Sequence, residues 1–291
     1  MLSEEEYKAH INSIENKEVP EIIFSVLCKV SQFLENRRKL FSESERIRQN
    51  LFNSFFKQYN TILALSQKTQ YVFNPDISYL DIRSINILIR SAHEIYLVHH
   101  YLVSDGMFGS VNSVDERAFK YLIYKLSGEL SQIRTLDLYK ELKYKPDNAP
   151  DLYETATTNK NEVLQKISSF EIYKNLPKEL KKKIKSGEWR VNSERTLSWS
   201  DLAELTPMVA QYGKLEYHHL SQYTHMTYAS QVLEANHNQD IDGLLCHLYI
   251  LASLFSFSVI SSYNMAITKD DILTKREQSL IIEFLGLASN R

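Results

Sequence analysis

No charged residue occurs between Gly243 and Thr268, and the stretch from Leu244 to Ile267 is long enough to cross a bilayer. A helix that is apolar on every side has two stable destinations, lipid or the centre of a bundle. This stretch also carries His247, Ser253, Ser256, Ser258, Ser261, Ser262 and Asn264. Each of those groups costs free energy in hydrocarbon, whereas neighbouring helices can offer it a hydrogen-bond partner. The expectation is therefore a buried central helix and no membrane partner, with the rest of the chain supplying the helices around it.

Composition agrees. The 291 residues include only 7 Gly and 6 Pro, which leaves little material for tight turns, bulges and phosphate-cradling loops. Neither GxGxxG nor GxxxxGK[ST] occurs, so a dinucleotide fold and a P-loop are excluded. The 34 Lys and Arg against 36 Asp and Glu leave a formal charge of −2, and any attraction to nucleic acid must then be local. Cys28 and Cys246 are the only cysteines, too few for a disulfide framework or a zinc knuckle. The N-terminal residues are acidic where a secretory signal needs positive charge. A reduced, cytoplasmic chain is expected.

Ser3 with Glu6, Ser42 with Glu45 and Ser113 with Glu116 each fit the S-x-x-E capping box and are expected to begin helices. Ile22, Ile23, Val26, Leu27, Val30, Phe33 and Leu34 recur at helical spacing after Pro20, and Leu51, Phe55, Tyr59 and Ile62 follow Ser42 in the same way. Asn74-Pro75-Asp76 breaks the pattern and is expected to lead into a helix from about Ser78 to Val103. The fold class expected is all-α: a multi-helix bundle with a central apolar helix and a lysine-rich helical insertion. Residues 1–75 form an N-terminal helical region and 76–291 the bundle core, with an exposed insertion at about 143–195.

Two places carry candidate chemistry. Arg90 and Glu94 are four apart on a helix whose two faces are both apolar, so each charge must find a partner, and each can serve the other. That spacing arises roughly once by chance in a chain of this composition. Tyr217, Ser221 and His225 recur at i, i+4 and i+8, which lines two hydroxyls and an imidazole along one helix face. Histidine titrates nearest physiological pH, and a neighbouring hydroxyl can orient it or share its proton.

Arg90-x-x-x-Glu94, the segment Trp199 to Ala203, and Tyr217-x-x-x-Ser221-x-x-x-His225 together resemble a family of bacterial all-helical proteins of unknown function, over roughly Leu80 to Ile267. The resemblance implies that these five motif residues converge from two helices. A more distant likeness is to HEPN-type helical nucleases, which cleave RNA without metal by means of an Arg and a His. Those enzymes place the pair on one helix as R-x4-6-H, and no such spacing follows Arg90.

Glu216-x-x-His219 and Glu234-x-x-His237 mimic the Glu-x-x-His element of di-iron bundles. Two such pairs are near chance, and the second lies in a polar connection, so no metal and no other cofactor is expected. A basic run, Lys174, Lys178, Lys181, Lys182, Lys183, Lys185 and Arg190 with Trp189 beside it, suits a solvated helix face, or an RNA-binding face with an indole for stacking. The leading functional expectation is a metal-independent ribonuclease or related phosphodiester-handling protein of the toxin or antiphage-defence kind. In it His225 takes the 2′-OH proton, Arg90 holds the phosphorane oxygens, Glu94 orients Arg90 or His225, and Tyr217 and Ser221 complete the hydrogen bonding. The competing expectation is a non-catalytic helical interaction or ligand-binding protein, in which the same residues fix helix register; its partner would be another protein or a second copy of the chain.

Overall fold

The computed structural model describes residues 3–109, 111–144, 149–235, 241–263 and 272–290. The chain is an all-α multi-helix bundle, 77% helical, with one two-stranded sheet among the described residues. It divides into two compact units, Met1–His100 with Trp199–Arg291, and Tyr101–Ser198. The boundaries expected from the sequence fall instead at residue 75 and at about 143–195.

In the first unit, α1 (Glu4–Asn12), α2 (Val19–Arg37) and α3 (Glu43–Ser66) precede the hairpin of β1 (Thr69–Tyr71) and β2 (Asn74–Tyr79). Ser3 and Ser42 form reciprocal capping boxes with Glu6 and Glu45, as their spacing predicts. Pro20 sits in the first turn of α2, where its missing N–H costs nothing. The long helix α4 spans Ile82–Val103. It starts later than expected because residues 74–79 are strand; Asp81 accepts from the Ser84 amide instead. Proline biases the preceding residue toward extended backbone, and here the extension runs on as β2.

After residue 198 come α9 (Trp199–Glu204), α10 (Ala210–Thr224), α11 (Tyr228–Ala235), α12 (Ile241–Ser262) and α13 (Lys275–Asn290). The uncharged helix is α12, which packs against α2, α3 and α13. Phe255 on it meets Phe52, Phe55, Tyr96 and His99. It is long and apolar enough to cross a membrane, and 61% of its apolar window is buried in the structure. Its polar load is only partly met by neighbours. Ser258 reaches His99 and Tyr212 reaches His247, while the hydroxyls of Ser253 and Ser256 have no partner among the described residues.

The second unit is built on α5 (Ser113–Glu141) and α6 (Ala149–Ser169), followed by α7 (Glu171–Asn175) and α8 (Lys178–Lys185). It has its own core, including Phe119, Ile123, Leu126, Val163, Ile167, Leu180 and Ile184. The expected capping box at Ser113 is not formed: Asn112 is the N-cap and accepts from Val114. Glu116 is drawn elsewhere. It is fully buried, accepts from the amides of Gly106 and Met107 at 2.9 and 3.0 Å, and pairs with Lys120 at 3.2 Å. Gly106 has a φ of +87°, which a side chain would resist. Lys120 donates to the Ser104 carbonyl as well, so this ion pair clamps the turn that follows α4. Burial pushes the Lys120 ammonium below its usual range, against the pull of Glu116.

Candidate functional site

Helix α4 and helix α10 run antiparallel in the first unit. Arg83 donates to the Tyr223 carbonyl, Arg90 and Glu94 meet Tyr217, and His100 meets the Leu205 carbonyl. The Tyr217 hydroxyl is the hub. It accepts from Arg90 Nη2 at 3.0 Å and donates to Glu94 Oε1 at 2.8 Å, while Arg90 and Glu94 pair directly at 3.1 Å. Its ring is stacked against Trp199 of α9 at 6.3 Å, and the Arg90 guanidinium lies 5.3 Å from its centroid. Burial raises the Tyr217 phenol, and its bond to Glu94 adds to that while Arg90 opposes it. The arrangement holds the proton on the phenol. It fits a helix-to-helix clamp.

The remaining two motif residues do not join this triangle. Ser221 donates to the Tyr217 carbonyl one turn back on its own helix, at 2.7 Å. His225 is the exposed C-cap of α10, and eight residues of helical rise separate it from Tyr217, about 12 Å. Its imidazole has no hydrogen-bond partner among the described residues. Met226 comes next, with a φ of +50°. The amides of Met226 and Thr227 bond back to the carbonyls of Tyr223 and Gln222, the pattern of a Schellman stop, in which glycine usually takes the left-handed position.

The most unusual polar group of the unit is one that the sequence reading missed. His93 lies between Arg90 and Glu94 in sequence, is fully buried, and neither of its ring nitrogens has a hydrogen-bond partner among the described residues. Its ring is 5.9 Å from that of Tyr217 and 5.1 Å from that of His247. Burial holds it well below the usual imidazole range, and the neighbouring His247 pushes the same way. A signal for it exists in the sequence, since Ile89, Tyr96 and Leu97 flank it at i−4, i+3 and i+4 and place it on the apolar stripe.

In the second unit, α8 buries Leu180 and Ile184 and exposes Lys178, Lys182, Lys183 and Lys185. Lys181 donates to the Lys174 carbonyl and Lys174 pairs with Glu171. Trp189 packs edge to face against Tyr101 and Tyr124, at 5.4 and 5.2 Å, and Arg190 pairs with Glu188. The indole is thus engaged by its own unit, and the lysines are the part of the basic run presented to solvent. Among the described residues no group of three or more His, Cys, Asp or Glu side chains could hold a metal ion; His237, of the second Glu-x-x-His pair, lies outside them. The chain matches no family model, no curated protein and no solved structure.

Proposed function

We propose that this chain is a non-catalytic helical interaction protein, in which Arg90, Glu94 and Tyr217 lock α4 to α10 and the lysines of α8 engage a phosphate-bearing polymer such as RNA. The observation that carries this reading is the Tyr217 hydroxyl, bonded on one side to Arg90 and on the other to Glu94. A phenol engaged in this way, with its two charged neighbours paired to each other, fits a contact that joins two helices. Ser221 is committed to its own backbone, and His225 stands apart.

The test is a salt titration of binding to single-stranded RNA in EDTA, for wild type and a Lys178→Glu/Lys182→Glu/Lys185→Glu variant. Each phosphate that the variant no longer neutralises lowers the slope of log K against log salt by about 0.7, so a drop of about 2 is expected. Equal slopes in both proteins would refute the lysine face as the RNA site. A second reading, the metal-independent ribonuclease, is favoured by the exposed imidazole of His225. Cleavage of total RNA by wild type and not by His225→Ala, leaving cyclic phosphates, would establish it; intact RNA in both lanes supports the interaction reading.

A further inference from the structure

The hairpin of β1 and β2 does not face the core. Every residue of β2 is exposed, and the turn between the strands is made of Val72 and Phe73, which are 88% and 99% exposed. Register places Tyr71 opposite Asn74, so Val72 and Phe73 are the two central residues of a two-residue hairpin loop. Such loops favour Gly, Asn or Asp, because the primed turns that match strand twist need positive φ. Neither Val72 nor Phe73 has positive φ. Turn chemistry therefore does not account for them, and burial does not either. Behind the tip, Tyr71 and Tyr79 pack against each other at 4.8 Å and remain 52% and 38% exposed, with Ile77 at 51%.

A two-stranded hairpin is marginal in water without a further surface to pack on. This one carries an apolar patch in addition. From the exposures of those five side chains, and with about 150–250 Å² for each aromatic residue, the patch amounts to roughly 600 Å² per chain. The largest apolar patch on a typical monomer is about 300–600 Å² and often functional, so this hairpin stands at the upper end of that range.

Charge narrows the occupant. Residues 68–79 contain one cation, Lys68, and one anion, Asp76, so the hairpin has no net pull toward an anionic lipid surface or a nucleic acid. A neutral patch carries no net charge to repel its own image, which a two-fold interface requires. Two hairpins face to face would bury at most on the order of 1,200 Å² in total, which reaches the lower end of the range for stable, specific interfaces. We infer that the Thr69–Tyr79 hairpin is a homodimerisation element, whose occupant is the hairpin of a second copy of this chain. Pro75 and the irregular register beside it keep the outer edge of β2 from recruiting further strands, which favours a closed pair over a growing sheet.

The experiment is analytical ultracentrifugation of the full chain from about 1 to about 100 μM, spanning the affinities typical of an interface of this size, with wild type, Val72→Ser/Phe73→Ser, and Leu138→Ser as a control for an exposed leucine of the other unit. Wild type and control are expected to sediment as dimers in the upper part of the range, and the double variant as a monomer with an unchanged far-UV spectrum. Because both positions are exposed, folding is not at stake in the variant. A wild type that is monomeric throughout, or a double variant that dimerises like wild type, overturns the proposal. So does a monomeric wild type that floats with phosphatidylcholine vesicles through Phe73, which would reassign the tip to lipid.

Discussion

Acid should destabilise the first unit in a pH range above that of its carboxylates, and His93 and His99 are the cause. Both are fully buried. Burial is the main influence holding each well below the usual imidazole range; His247 adds to it for His93, and Arg48 and then His100 add to it for His99. In the unfolded chain both titrate near about 6.5. A native value below the unfolded one means that the unfolded state takes up protons the native state refuses. The stability is then complete above about pH 6.5 and is lost as pH falls, by up to about 1.4 kcal/mol per pH unit for each histidine.

For an imidazole that stays neutral in the native state from about pH 7.5 to about pH 5.0, the loss is about 2 kcal/mol, and about 4 kcal/mol for the pair. Glu277, held low against its own burial by Lys29, Ser25 and Thr274, gives way in the same direction but only at lower pH. The decisive variant is His93→Phe, a ring of similar size that takes up no proton and, since His93 has no hydrogen-bond partner among the described residues, gives up no bond. Urea unfolding can be followed by Trp199, which lies in the first unit, in a Trp189→Phe background. The loss between about pH 7.5 and about pH 5.0 should fall by about half, with stability at the upper pH preserved or raised. If His93→Phe instead costs about 2 kcal/mol or more at the upper pH and leaves the pH dependence unchanged, the reasoning fails.

Four further outcomes are expected. Tyr217→Phe removes two charge-assisted hydrogen bonds from a largely buried triangle and should cost about 2 kcal/mol in thermal or chemical unfolding; His225→Ala, at an exposed cap without a side-chain partner among the described residues, should leave the melting temperature within a degree or so. Met226→Gly relieves a left-handed non-glycine residue at the end of α10 and should stabilise by up to about 1 kcal/mol, which differential scanning fluorimetry would register as a raised melting temperature. Lys120→Met strands the buried Glu116 and should cost about 3–5 kcal/mol, read by urea unfolding of the second unit, whereas Lys120→Met/Glu116→Gln should recover part of that loss.

Local signals are legible where a single turn of chain decides the matter. Ser3 and Ser42 cap their helices through residues three positions on, and Pro20 opens α2, so those helix starts can be read from the sequence. Ser113 departs from the pattern for a tertiary reason. Its partner Glu116 satisfies two amides of the Gly106–Met107 turn and a buried lysine, a demand no local pattern announces. Residues 74–79 are strand rather than the approach to a helix, because a proline ends one helical pattern without specifying the element after it. In the candidate site, the spacing of Arg90 and Glu94 makes them neighbours on one face. It does not reveal that Tyr217 sits between them or that Ser221 bonds to its own helix.

The one-dimensional pattern by itself determined the class of the protein: scarce glycine, helical periodicity and one uncharged segment leave an all-α bundle around α12, because those are properties of single helices and of what a helix without a polar face must be buried against. Which polar groups meet was decided only by the tertiary structure. The Tyr217 triangle, the buried His93 and the apolar hairpin tip depend on where residues distant in sequence arrive in space. Local spacing fixes which side chains share a face, but the packing of helix on helix decides what that face encounters.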